Sequence, residues 1–265
     1  MLGDNEFRYL LDHLDRPWTG YRKVRKGVKK RLRHHMQSLG CKSVEAYLRK
    51  LQELPDERQL CEHYLLVTIS RFFRDRELWH DLKIRLLPCL FEIFSPPVRI
   101  WSAGCACGEE PYSLAMILKD LHDPPAVTLL ATDIQSVCLD RARQGIYNRS
   151  SLKELPGQMR QAYFDSLPGG RGFRIRRDRL PPVRWQRRHL LDSPPAGLFH
   201  LIMLRNNLLT YYQGPRLGSA FDRILGVLAP GGYLVVGSHE KPPRSRFRLQ
   251  RDERCPWVYR READQ

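Results

Sequence analysis

Apolar residues recur along this chain with two periods, and the change of period divides it. From about residue 5 to residue 90 the repeat is helical. Phe7, Leu10, Leu11 and Leu14 form one stripe. Val24, Val28, Leu32 and Met36 return every fourth position, with Lys23, Lys26, Lys29, Lys30, Arg31 and Arg33 between them. That spacing predicts an amphipathic helix with a basic outer face. Ser43 to Leu54 reads as a further helix with Val44, Tyr47, Leu48 and Leu51 inward and Ser43 as its cap. Glu62–Val67 continues the pattern, Leu78–Phe94 is apolar and helical, and Ser95-Pro96-Pro97 ends it.

Beyond residue 97 short apolar runs alternate with helical stretches, the signature of an α/β sheet. The predicted strands are Val98–Trp101, Val127–Thr132, Leu198–Leu204 and Tyr233–Val236, with a helix over Leu217–Leu228 closed by Ala229-Pro-Gly-Gly232. Residues 148–185 break the alternation and are expected to form a small inserted β lobe, with strands at Phe173–Arg176 and Val183–Trp185. Phe247–Gln250 and Trp257–Arg260 are expected to make a terminal hairpin. The domains expected are a helical one over 1–94 and an α/β one over 95–265.

The organising stretch is Val98–Leu118: a buried strand, a loop of small residues (Ala103, Gly104, Cys105, Ala106, Cys107, Gly108), then a helix opened by Glu109 and Glu110 with Pro111 in its first turn. Strand, glycine loop and helix make a site for a nucleotide-like cofactor. The G-x-G-x-x-G spacing is absent, and carboxylates stand where a pyrophosphate wants bare amides. That argues against a dinucleotide and suits a cationic donor without phosphate, S-adenosylmethionine. Read locally, Glu109 and Glu110 also complement the helix dipole. Asp133, at the end of the second strand, either accepts ribose hydroxyls or caps the helix Gln135–Gln144. Arg205, Asn206 and Asn207 are delivered at the end of Leu198–Leu204, where the carboxyl ends of strands form a ligand crevice.

Composition narrows the class. Hydrophobic residues are 42%, enough for a core. No apolar run approaches the roughly 20 residues of a membrane span. The first residues are acidic and broken by charge, unlike a signal peptide. Seven scattered cysteines lack zinc-site spacing, and no metal is expected. A cytoplasmic protein with free thiols is the economical reading. A net charge of +16 calls for an acidic partner and does not choose among nucleic acid, an anionic surface and an acidic protein.

Several stretches together resemble one family, the chemotaxis receptor methyltransferases, which transfer methyl groups from S-adenosylmethionine to protein glutamates. They are SRFFRD (70–75), IWSAGCACGEEPYSLAM (100–116), ATDI (131–134), LDRARQGIY (139–147), LKELP with the strands after it (152–185), LIMLRN (201–206), LAPGGYLVVGSHE (228–240) and VYRR (258–261). The resemblance implies an N-terminal helical domain, a class I S-adenosylmethionine-dependent (Rossmann-like) sheet and an inserted β lobe. It implies that Thr68, Ser70 and Arg74 border the methionyl end of the cofactor, with Arg74 near the methyl-transfer centre. It places Gly104, Glu109 and Glu110 in the cofactor loop and Asp133 on the ribose or adenine side. His189, Leu190, Asn206 and Asn207 then line the rest of the crevice.

The chain departs from the family in four places. Ser70 stands where the family usually has Thr, and Thr68 and His189 where it has Asn. The family's R-N-x-x-I-Y-F is Arg205-Asn206-Asn207-Leu208-Leu209-Thr210-Tyr211 here, so the family's active-site Tyr falls on Thr210, and Tyr211 is the candidate to replace it. A glutamate carboxylate is a competent nucleophile at neutral pH, its ordinary pKa being about 4.3, so no general base is required. The partner implied is an acidic protein, a chemoreceptor helical bundle in the first instance, acted on by a monomeric enzyme. A class I methyltransferase acting on RNA or a small molecule, and a non-catalytic cofactor sensor, are the competing functions.

Overall fold

A computed structural model describes residues 2–263. Contacts within the chain define two compact units. The first runs to Val67 and includes Thr210–Arg216; the second is Thr68–Leu209 with the chain from Leu217 onward.

The helical unit contains α1 (Asp4–His13), α2 (Trp18–Tyr21), α3 (Arg25–Ser38), α4 (Val44–Glu53) and α5 (Pro55–Leu65). Its core is the set of stripes predicted by period: Phe7, Leu10 and Leu11 of α1, Val28 and Leu32 of α3, Tyr47 and Leu51 of α4. Ser43 caps α4, its hydroxyl accepting from the Ala46 amide at 3.2 Å. Part of the basic face of α3 is engaged: Asp4 takes Arg25 and Lys29, and Arg31 donates to the carbonyls of Tyr64 and Leu66. Lys26, Lys30 and Arg33 are exposed and have no carboxylate partner among the described residues.

The division falls at Val67/Thr68 rather than at the expected 94/95. The reason lies in packing. Between α6 (Arg76–Asp81) and α7 (Leu87–Ile93) the helix makes one wide turn at Leu82–Leu86. Leu78, Leu82, Leu86, Leu87 and Leu90 bury themselves in the same core as Val98, Ile100 and Leu114 of the sheet unit. Helical period identifies a buried face without identifying what buries it.

The second unit is built on β1 (Val98–Ala103), α8 (Glu109–Asp120), β2 (Val127–Asp133) and α9 (Ser136–Gln144). A lobe follows with β3 (Ile146–Tyr147), α10 (Gly157–Tyr163), β4 (Phe164–Ser166) and β5 (Phe173–Ile175). The chain continues through β6 (Val183–Arg187), β7 (Phe199–Leu204), α11 (Leu208–Tyr211), α12 (Gly214–Gly226), β8 (Leu228–Val236), β9 (Leu249–Arg251) and β10 (Val258–Arg261). The seven-stranded sheet has the order β6-β2-β1-β7-β8-β10-β9. Its first five strands are parallel, and β10 is antiparallel to both neighbours. This is a doubly wound α/β sheet, with β1 at the point where the winding reverses and the strand ends part to form a crevice.

Two sequence expectations are corrected. Val183–Trp185 does not belong to the lobe. It opens β6, which pairs in parallel with β2 from Leu129↔Val183 to Asp133↔Arg187; the lobe sheet is β3-β5-β4 alone. An alternating V-R-W-Q run fits any edge strand, and nothing local says which sheet it joins. Ala229-Pro-Gly-Gly232 is not a terminating turn but lies inside β8, where the register with β7 shifts between Phe199 and Leu201. The shift takes up the extra residues as a bulge.

A buried hydrogen bond ties β1 to β2: the Trp101 indole donates to Thr132 Oγ1 at 3.0 Å, with both side chains inaccessible to solvent. Thr132→Val keeps the shape and strands the indole N–H. Urea unfolding should register a loss of about 1–3 kcal/mol; an unchanged midpoint would mean the bond contributes nothing net.

Candidate functional site

The site is made by the carboxyl ends of β1, β2, β6 and β7 together with the start of α8 and residues 70–75, all within the second unit. Its loop begins at Gly104, with φ +78°, whose amide and that of Cys105 both donate to the Thr132 carbonyl (2.8 and 2.9 Å). A Cβ on Gly104 would come within 2.4 Å of Asn207 Nδ2 and 3.3 Å of Leu190 Cδ1. The glycine is therefore required by the chain's own closure, which brings Asn207 and Leu190 onto the loop. Asn207 Nδ2 donates to the Ala103 carbonyl at 2.5 Å, and its Oδ1 accepts from the Leu208 amide.

Asp133 braces the loop. Its Oδ2 accepts from the Ala106 amide and its Oδ1 from the Gln135 amide, each at 2.9 Å. Burial pushes its pKa up, against those backbone bonds. Asp133 does not cap the helix that follows, whose N-cap is Gln135 with no side-chain cap bond; it braces the loop, and each oxygen, accepting one bond, has room for a second. His189 and Leu190 follow β6 directly, and the Arg188 amide donates to the Asp133 carbonyl at 3.0 Å.

The two glutamates divide their labour. Glu110 Oε1 accepts from Ser102 Oγ at 2.8 Å, and its Oε2 lies 3.0 Å from Arg205 Nη1. Both of its oxygens are used within the fold. Glu109 is 3% exposed; Ser151 Oγ donates to its Oε1 at 3.2 Å, while its Oε2 is buried with no hydrogen-bond partner. Burial raises both carboxyl pKa values. For Glu110 the Arg205 charge is the main opposing influence; for Glu109 the opposition comes from backbone, Ser151 and, more weakly, Arg141 and Ser70.

Arg205 ties the site together. It is 7% exposed, and its Nη2 donates to Asp75 Oδ2 at 2.6 Å and to the Arg74 carbonyl at 3.1 Å. The Trp79 indole donates to the same carbonyl at 2.7 Å. The Phe72 amide reaches the Ser151 carbonyl and the Phe73 amide reaches Ser113 Oγ, each at 3.0 Å. So held, Arg74 is half-buried, and its guanidinium has no partner among the described residues. Ser70 is half-buried; Thr68 is exposed, and no hydrogen bond joins it to the site among the described residues. Asn206, with φ +54°, has its amide on Glu240 Oε2 at 2.8 Å. Phe73, Asp75 and Ala106 also have positive φ without being glycine, a concentration of strained backbone typical of a functional site.

Tyr211 belongs to the helical unit, where its ring meets Tyr21 edge-on with centroids 5.1 Å apart. The sequence reading brought Arg205 to the crevice without giving it a role, and did not single out Asp75, Ser102, Ser151 or Glu240 as site residues. Arg205 and Glu240 stood inside quoted motifs, but a buried ion pair between distant segments has no local signature.

The donor set suits a cation. A buried carboxylate oxygen without a partner among the described residues costs free energy until a positive group meets it. The ammonium and sulfonium charges of S-adenosylmethionine fit that description.

Residues 68–254 match the family model described as the CheR methyltransferase, S-adenosylmethionine-binding domain. Its first residue coincides with the first of the α/β unit. A chemotaxis protein methyltransferase of Listeria monocytogenes is 33% identical over 67% of this chain and 66% of its own length. Chemotaxis protein methyltransferase 2 of Pseudomonas aeruginosa is 31% identical over 80% of this chain and 77% of its own. One from Borreliella burgdorferi is 29% identical over 80% and 79%.

Replacing Arg205 with Met should leave Asp75 and Glu110 without their cation, at about 3–5 kcal/mol. The loss should grow with pH. Burial holds Glu110 above its ordinary 4.5 and Arg205 is the main influence opposing it; without Arg205 the carboxyl rises further, so the variant loses more stability than the parent as pH rises through that range. Thermal unfolding of R205M from pH 5 to 8 should show a widening deficit against the parent chain; a constant deficit would contradict this.

Proposed function

Since the chain belongs to the CheR methyltransferase family, we propose that it transfers the methyl group of S-adenosylmethionine to glutamate carboxylates of an acidic protein, most directly the cytoplasmic helices of a chemoreceptor. The observation that carries this reading is a pairing in the α/β unit. Among the described residues, Glu109 presents a buried oxygen with no partner and Arg74 a guanidinium with none, and Arg205 joins the Arg74 carbonyl to Glu110, the neighbour of Glu109. One suits a cationic donor and the other an anionic acceptor.

S-adenosylmethionine supplies an electrophilic methyl group on a sulfonium. The chain's own residues position both partners. Gly104 and Asn207 shape the floor of the crevice, Leu190 and His189 its wall, and Asp133 accepts hydroxyls from the ribose side. Glu109 meets the donor's positive charge. Glu110 acts indirectly, through Arg205. Arg74 turns the acceptor carboxylate toward the methyl group. The acceptor attacks as the carboxylate it already is near neutral pH, so catalysis rests on orientation and electrostatics. Methylation removes the acceptor's charge, so a single exposed-side guanidinium, rather than a deep multidentate clamp, suits the step: ground-state binding stronger than transition-state binding would slow it. The exposed lysines and arginine of α3 suit an acidic helical partner by charge, as part of the +16 excess. No helix among the described residues is long and apolar enough to cross a membrane.

The test is incubation with labelled S-adenosylmethionine and a chemoreceptor cytoplasmic fragment, scored by mild alkali. Ester methyl groups are released as methanol; nucleic-acid and amine methyl groups stay. Arg74→Ala should keep S-adenosylhomocysteine affinity within about twofold and lower turnover a hundredfold or so. Lost cofactor affinity with unchanged turnover would reassign Arg74. Glu109→Gln should weaken S-adenosylmethionine binding and flatten its pH dependence. Burial raises Glu109 above 4.5, so wild-type affinity should fall as pH drops through that raised value and Glu109 loses its charge. Calorimetry that finds the same slope in E109Q would exclude Glu109 as the cation's partner.

A further inference from the structure

Two buried serines join the parts of the crevice that the proposed reaction uses. Ser113, in α8, is inaccessible to solvent, and Ser151, in the lobe, is 7% exposed. Ser113 Oγ donates to the Glu109 carbonyl at 2.6 Å and accepts from the Phe73 amide at 3.0 Å. Ser151 Oγ donates to Glu109 Oε1 at 3.2 Å, and the Ser151 carbonyl accepts from the Phe72 amide at 3.0 Å. Each serine therefore touches the same two places: Glu109 at the start of α8, and the Phe72-Phe73 pair directly before Arg74. All four contacts lie within the second unit.

Stability does not call for either hydroxyl. A serine that bonds back to the carbonyl four residues earlier weakens a helix slightly, and a hydroxyl taken out of water is costly unless it is bonded. What the pair adds is geometry. Phe73 has φ +52°, a strained conformation for a residue with a Cβ, and the Ser113 oxygen holds its amide there. The Ser151 hydroxyl is delivered by a turn that is itself fixed. Asn148 Oδ1 accepts from the Ser151 amide at 3.0 Å and from Ser150 Oγ at 2.6 Å. By engaging Oε1 it leaves Oε2 as the bare oxygen of Glu109. A carboxylate anchored at one oxygen, on a backbone anchored at its own carbonyl, is restricted in where the other oxygen points.

We infer that Ser113 and Ser151 are positioning residues for methyl transfer: they fix Glu109, which meets the donor, against the segment that delivers Arg74, which orients the acceptor. This rests on the function proposed above. Ser151 acts on the donor side through the Glu109 carboxylate, and Ser113 on the acceptor side through the Phe73 amide.

Ser151→Ala, Ser151→Thr and Ser113→Ala test it. Tyr163→Phe is the control: it removes a hydrogen bond elsewhere in the lobe, from Tyr163 Oη to Asp120 at 2.8 Å. The Glu109 carboxyl is titrated in the ligand-free protein by carboxyl carbon NMR, with E109Q identifying its resonance. The Ser151 bond opposes the upward push of burial on Glu109, which also faces Arg141 of α9, Tyr147 of β3, Cys107 of the loop and Ser70. Its loss in S151A should move the titration up by about one pH unit. S-adenosylmethionine affinity should then fall away at a correspondingly higher pH, and S151T should restore both. In S113A the carboxylate keeps its own bond, so the titration should not move. Exchange of the Phe73 amide should instead speed up, and kcat for ester formation on a chemoreceptor cytoplasmic fragment should drop roughly tenfold to a hundredfold, with KM for S-adenosylmethionine little changed. Y163F should lower Tm and alter none of these. An unmoved titration in S151A, the same shift in S151T, parent kcat in S113A, or a Y163F variant that reproduces either change would each overturn the inference. A parent enzyme that forms no alkali-labile ester would count against the proposed function instead, and the titration would still decide whether Ser151 sets the Glu109 carboxylate.

Discussion

One buried guanidinium governs the architecture of the crevice. Arg205 leaves the end of β7 and binds Asp75, the Arg74 carbonyl and Glu110 together. A charge excluded from water is costly unless it is paired; both terminal nitrogens of Arg205 are met, while its Nε is buried with no partner among the described residues. Three segments far apart in sequence are therefore drawn to one point: the loop after Thr68, the first turn of α8 and the strand end itself. The arrangement has a chemical consequence. Because Glu110 is committed to Arg205 and Ser102, its neighbour Glu109 is the one left with a bare oxygen. Because the Arg74 backbone is fixed, its side chain is left at liberty. Interactions inside the fold thus determine which charges are left without a partner among the described residues.

Strain accompanies this convergence. Phe73, Asp75, Ala106 and Asn206 all adopt positive φ with a Cβ in place, each at a cost of order 1–3 kcal/mol. Each one sits beside a bond that holds it: Phe73 on Ser113, Asp75 on Arg205, Ala106 on Asp133, Asn206 on Glu240.

Much of this is legible in the sequence alone. The helical period of residues 5–38, the Ser43 cap, and the strand, loop and helix over 98–118 are local signals, and they appear where the period places them. Asp133 was legible as an acidic strand end, and its bonds to Ala106 and Gln135 make it both a brace and a ligand candidate. Val183–Trp185, expected in the lobe, opens the edge strand β6 instead, because two-residue alternation carries no information about the sheet it joins. The division at residue 67 was missed because α6 and α7 look like any amphipathic helix until their partner is known. Arg205 lay in plain view as the first residue of a quoted motif, yet its partners are 95 and 130 positions away. Long-range ion pairing is what a single sequence hides best.

The central claim is that the crevice at Gly104, Glu109 and Asp133 holds the methyl donor. A crystal structure with S-adenosylhomocysteine tests it most directly. The account predicts ligand density over the Gly104 loop, with the methionyl end toward Glu109 and the ribose toward Asp133. Density lodged elsewhere on the protein, with this crevice empty, would contradict it.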